Sequence, residues 1–158
     1  NHALYFWYEA LIQGYVREGI ELVHIDEHSD LWENENSLTI DHWLLTAEDL
    51  DSIAYFVNFS CNVGNYIQPA LRNGFVEKMI RIEGESDLIQ YEQYQAGENM
   101  ILNLDLDFFS PDLDWIDSDL KKKVILHLAK QAKYITIATS PFFIDQDRAI
   151  EVMRDLFE

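Results

Sequence analysis

Glu21-Leu-Val-His-Ile-Asp-Glu-His-Ser-Asp30 changes character at its midpoint. The first half is short, apolar and β-branched, and the second half is abruptly polar. This reads as a buried strand that ends in a functional loop. Residues two apart in extended backbone point the same way, so Asp26, His28 and Asp30 are expected to face one point.

A second stretch repeats the pattern. Met100-Ile-Leu-Asn-Leu-Asp-Leu-Asp-Phe-Phe109 reads as a strand stopped by Ser110-Pro111-Asp112, with Asp105 and Asp107 near its carboxyl end. If the two strands are parallel neighbours, the two groups meet face to face. Four of these five side chains are carboxylates, and like charges a few ångströms apart in a partly buried site do not all stay ionised without cations. Mixed carboxylate and imidazole ligation without thiolate suits Mn²⁺, with Zn²⁺, Fe²⁺ or Co²⁺ as weaker options. Two ions about 3.5 Å apart would activate water near neutral pH.

Outward from these stretches, strands and helices alternate. Leu4, Trp7, Tyr8, Leu11, Ile12, Tyr15 and Val16 predict a helix over 3–18 capped by Gly19. Thr46 and Asp49 form a capping box ahead of a helix over about 47–58. A short helix is expected over 63–72, with Pro69 inside it, and a strand over 75–82. Residues 83–97 show no apolar periodicity and read as an irregular connection. Leu120, Val124, Leu128 and Ala132 mark a helix, Tyr134 to Thr139 a strand, and a last helix starts near Asp145 with Ile150, Met153, Leu156 and Phe157 on one side. The expected class is α/β, a three-layer parallel sheet with helices on both faces and ligands bound beyond the carboxyl ends of the strands.

The chain has 158 residues, 48% of them hydrophobic, enough for one compact domain. Apolar runs break well before the roughly 20 residues of a membrane span. A formal charge of −18 disfavours nucleic acid and anionic membranes as partners and attracts cations. The single cysteine, Cys61, cannot pair within the chain, which favours a reducing, cytoplasmic setting and reads as a small buried hydrophobe. The sequence opens without Met and with a candidate ligand at its second position, so an upstream strand is expected to be missing.

The residues then reach a resemblance. His24-Ile-Asp-Glu-His-Ser-Asp30 and Asn103-Leu-Asp-Leu-Asp-Phe-Phe-Ser-Pro111 resemble the two aspartate motifs of the ureohydrolases, the arginase-like superfamily. The runs Asn1-His-Ala-Leu-Tyr-Phe-Trp7, Asp105 to Pro111 and Ile137-Ala-Thr-Ser-Pro-Phe-Phe143 are similar to its peptide arginase branch. The resemblance implies two manganese ions, one held by His2, Asp26, Asp30 and Asp105, the other by Asp26, His28, Asp105 and Asp107. It implies hydrolysis of arginine side chains within a peptide substrate to ornithine and urea. Asp107 and His42 are the expected catalytic residues, His42 as proton carrier because it lies near the shuttle-histidine position of free-arginine arginases. His24 reads either as a partner of the ligands or as a core histidine, and His127 as structural. Ser110 stands where a third aspartate is usual, and Ala138 falls about where free-arginine enzymes place a guanidinium-gripping glutamate. Free arginine is thereby less expected, and Trp7, Trp32 and Phe108 offer a pocket lining or simply packing.

Rival readings remain. Leu104-Asp-Leu-Asp-Phe108 also resembles the nucleophile segment of haloacid-dehalogenase phosphatases, which leaves Asp26, His28 and Asp30 unexplained. Calcineurin-type phosphatases need G-D and G-N-H segments that the sequence lacks. Another amidine or amide hydrolase, or a domain that binds arginine-bearing peptides without turnover, shares the same ligands.

Overall fold

A computed structural model describes residues 1–35 and 45–158. Four parallel strands form one sheet in the order β2-β1-β3-β4: β1 is Ile20–Ile25, β2 Val76–Ile82, β3 Met100–Asp105 and β4 Tyr134–Ala138. The helices are α1 Ala3–Ile12, α2 Asp49–Phe59, α3 Ile67–Arg72, α4 Glu85–Tyr91, α5 Ser118–Ala129 and α6 Gln146–Phe157. The α/β class with a parallel sheet is what the alternating pattern implied. No helix among the described residues is long and apolar enough to cross a membrane.

The central strands β1 and β3 are buried at every position, as continuous apolar runs in a parallel sheet should be. Their side chains divide by parity. Ile20, Leu22 and Ile101 pack with Leu4 and Trp7 of α1, Ile53 and Val57 of α2, and Ile67 of α3. Val23, Ile25, Leu102 and Leu104 pack with Leu88 of α4, Val124 and Leu128 of α5, and Ala149 and Leu156 of α6. Each fully buried aliphatic side chain contributes on the order of 1.5–3 kcal/mol. The register pairs Ile25 with Leu104, so the residues that follow, Asp26 and Asp105, lie side by side at the carboxyl ends of the two strands.

Several expected boundaries move, each for a local reason. The first helix stops at Ile12, not at 18. Gly14, at φ +76°, turns the chain, and the Gly14 and Tyr15 N–H groups donate to Leu11 and Ala10 carbonyls in a Schellman arrangement. Val16, expected on the helix, instead enters the core after that turn. Pro69 causes no break because α3 begins at Ile67, leaving the proline in the first turn, where its missing N–H has no helical partner to lose. Residues 83–97 are not irregular throughout: α4 forms over seven of them, anchored by the single buried residue Leu88. One buried side chain gives no periodicity to read. On α6 the inward face is Ala149, Val152, Met153 and Leu156, whereas Ile150 and Phe157 are exposed.

The strand expected over 100–109 ends at Asp105, and residues Leu106–Phe109 form a 3-10 turn. Lys121 of α5 explains how this turn is held. Its ammonium is buried beside the Phe108 and Phe109 rings and donates to the Phe108 and Leu113 carbonyls, both at 2.8 Å. Burial pushes the ammonium down to about 8. Lys121→Met is expected to take a donor from both carbonyls, of which Leu113 keeps the Ile116 N–H, and to lower stability by about 1–3 kcal/mol. A chemical-denaturation midpoint unchanged from wild type would remove Lys121 from this role.

Candidate metal centre

Two turns of the same kind build the site. At the end of β1 the Asp26 carboxylate accepts from the His28 backbone N–H at 2.6 Å, and at the end of β3 the Asp105 carboxylate accepts from the Asp107 N–H at 3.3 Å. Each aspartate thus caps the backbone two residues on, which folds the chain back over the strand end. The expectation that extended backbone aligns these side chains is therefore corrected. They converge through Asx turns, and Asp30 reaches the site from a left-handed backbone, φ 52°, a conformation that aspartate tolerates better than most residues.

The structure brings Asp26, His28, Asp30, Asp105 and Asp107 together, and adds His24. His28 Nδ1 lies 3.3 Å from Asp26 Oδ1 and 3.1 Å from Asp107 Oδ2. His24 Nε2 lies 3.4 Å from Asp26 Oδ2 and 3.9 Å from Asp30 Oδ2. Two triads offer ligand atoms close enough for one ion each: His24, Asp26 and Asp30, and Asp26, His28 and Asp107. Asp26 is common to both. The second triad falls within the ligand set implied for one of the ions, and the first contains a histidine that the motif reading left between partner and core.

Electrostatics fit cations. Burial, with Asp105, Asp107 and Asp30 nearby, pushes Asp26 up to about 10 from an ordinary 3.8. Burial and Asp107 push Asp105 up to about 7, although the Ser140 hydroxyl donates to its carboxylate. Burial also raises Asp30, against hydrogen bonds from Tyr66 and Asp26. Carboxyl groups so placed hold protons unless a metal supplies the compensating charge. His24 Nε2 and Asp107 Oδ1 are buried and without a hydrogen-bond partner. For Asp107 Oδ1, an orphaned carboxylate oxygen within the cluster, a metal ion would supply the missing partner.

His2 stands apart from this cluster. It precedes α1 and borders the same cavity, but its side chain is exposed and Nε2 sits 3.1 Å from Asn58 Oδ1. His42 lies outside the described residues. His127 holds the Tyr94 carbonyl at 2.7 Å, the structural role expected of it. Ser110 donates to Glu27 at 3.0 Å. The described residues that sequence reasoning missed are Ser140, Tyr66 and Thr136. Ser140 lies inside the Ile137–Phe143 run, but nothing in that run announces a bond to Asp105. Tyr66 carries no motif at all.

The cluster forms the floor of a cavity of about 940 Å³ beyond the carboxyl ends of the strands, where parallel sheets place ligands. Its walls include Phe6, Trp32, Ile137, Phe142 and Phe143. The His28 ring leans on Phe143 at 4.7 Å between centroids. Trp32 is exposed and lines the cavity, whereas Trp7 and Phe108 are wholly buried. No protein-family model matches the chain, and no curated protein matches its sequence.

Proposed function

We propose that the chain is a binuclear manganese hydrolase with a three-layer, arginase-like fold, converting arginine side chains of a peptide to ornithine with release of urea. The observation that carries this reading is the convergence of four aspartates and two histidines, without a thiolate, at the carboxyl ends of two adjacent parallel strands. Asp26 sits between the two candidate triads, the place of a bridging ligand. Asp105 and Asp107 complete the ligand set from β3, with His2 as a further ligand if its side chain turns away from Asn58.

When bound, such ions supply Lewis acidity and a nucleophilic water near neutral pH. The chain's own residues do the rest. The Asx turns hold the ligand carboxylates in place, and Ser140 orients Asp105. His28, half-exposed, and the buried Asp107 line the cavity floor, and His42 is the proposed proton carrier to the leaving amine. The acidic surface and carboxylate floor favour a cationic guanidinium. A cavity near the top of the range of about 300–1,000 Å³ for ligand sites has room for more than a free amino acid. Ala138 also lines it and offers no carboxylate to grip a small free substrate.

Full-length protein loaded with Mn²⁺ is expected to release urea from arginine-containing peptides, with the matching loss of mass from the peptide, and little or none from free arginine. Two bound metal equivalents with no urea from any arginine peptide would overturn the substrate assignment. It would leave the second reading, another amidine or amide substrate on the same metal site.

A further inference from the structure

A line of buried side chains runs from α1 across the sheet to the metal centre. The Trp7 indole N–H donates to Thr136 Oγ1 at 3.0 Å, and the Thr136 hydroxyl donates to Asn103 Oδ1 at 2.6 Å. Asn103 Nδ2 faces both His24 Nδ1 and the Tyr66 hydroxyl at 2.9 Å. Tyr66 in turn faces Asp30 and works to hold its carboxyl down. His24, Asn103 and Thr136 sit at facing positions of three neighbouring strands, since His24 pairs with Asn103 and Asn103 with Thr136.

The line has a direction. An indole nitrogen only donates, so Thr136 accepts from Trp7 and has its single proton left for Asn103 Oδ1. That fixes the Asn103 amide with Nδ2 toward His24 and Tyr66. Facing two donor hydrogens, His24 Nδ1 and the Tyr66 oxygen must both accept, so the proton of Tyr66 is free for Asp30 and the ring proton of His24 lies on Nε2. The reversed amide would leave the Thr136 proton without an acceptor and would draw the Tyr66 proton away from Asp30. Both are costly in a site this buried.

We propose that His24 is a positioning residue and not a metal ligand: the relay from Trp7 through Thr136 and Asn103 holds its proton on Nε2, pointing at Asp26 and Asp30 and orienting both for the metal. His24 Nε2 lies 3.4 Å from Asp26 Oδ2 and 3.9 Å from Asp30 Oδ2, so its proton is a donor placed to orient both carboxylates. The metal-hydrolase reading enters only in what the two carboxylates hold, not in the direction of the relay.

The experiment is ¹⁵N-histidine NMR of the full chain, metal-free and loaded with diamagnetic Zn²⁺, together with Mn²⁺ titrations. His24 is expected to show a protonated Nε2 and a bare Nδ1 in both states, and Thr136→Val is expected to mix the two tautomers. His24→Ala should weaken Mn²⁺ binding by about 10–100-fold, the usual effect of a partner behind the ligands, while two equivalents still bind. His24→Gln, which keeps a donor near the Nε2 position, should recover most of that affinity. A bare Nε2 in the metal-free wild type, a bare Nε2 on zinc loading, or the loss of one whole equivalent in the Ala variant would overturn the proposal. A wild type that takes up no metal but shows the protonated Nε2 would sink the hydrolase reading and leave the relay standing.

Discussion

Asp26→Asn is expected to abolish Mn²⁺ uptake at both positions and to lower urea release by at least a thousandfold, yet to make the metal-free protein more stable. The first half follows from geometry, because Asp26 stands between Asp30 on one side and His28 with Asp107 on the other, common to both candidate groups. Its loss should exceed the about 10–100-fold effect typical of residues that act through a ligand. The second half follows from charge. The Asp26 carboxyl is almost wholly buried and is pushed up to about 10 by burial and by Asp105, Asp107 and Asp30. Asparagine keeps the oxygen that caps His28 and never ionises. Metal content by elemental analysis and the melting temperature at pH 8, both without added metal and with it, give the two readings. A variant that still binds two equivalents, or that melts lower than wild type when metal-free, contradicts the placement of Asp26.

Loading wild-type protein with Mn²⁺ at about a thousand times its dissociation constant should stabilise it by about 4 kcal/mol per site at most. For a domain of this length that is a rise of roughly 8–16 °C in melting temperature. The pH dependence should change with it. In the metal-free protein Asp26, Asp105 and Asp30 have folded-state values above their ordinary 3.8. Between that value and the raised ones the folded chain binds more protons than the unfolded chain, so stability falls as pH rises. While one such group titrates, the slope is about 1.4 kcal/mol per pH unit. The metal-free melting temperature should therefore decline from about pH 4 toward pH 8, with the Asp105 contribution levelling off above about 7. Bound metal keeps the carboxylates ionised, so the loaded protein should gain stability with pH over the same window. Parallel pH profiles for the two forms would mean that these carboxylates are not the metal's ligands.

Much of this was legible from spacing. Two apolar runs that turn abruptly acidic announced two buried strands with polar ends, and their alternation with helical stretches announced a parallel sheet. Both signals depend on residue type alone. The Asp26 and Asp105 motifs were legible for the same reason, since each stands at the carboxyl end of an apolar run, Asp26 just after Ile25 and Asp105 as the last residue of β3. Short or indirectly held features were not legible. α4 has one buried residue, too few for a period. The end of α1 was misplaced because two glycines, Gly14 and Gly19, both take positive φ, and only the core position of Val16 decides which of them ends the helix. Lys121, one of three consecutive lysines, looks like a solvated helix face until the 3-10 turn after β3 presents it with two carbonyls.

The sequence by itself therefore determined which donor side chains exist, that they stand at strand ends, and that several carboxylates crowd together there. The tertiary structure alone decided where those side chains point. Side chains just beyond a strand are directed by local turns, and the bonds that set those turns and their surroundings link residues far apart in the chain. Thr136 polarises Asn103, Asn103 sets the ring of His24, Ser140 reaches Asp105, and Asn58 pairs with the exposed His2. No spacing within one segment encodes a hydrogen bond made across three strands, so the orientation of the site had to come from the fold.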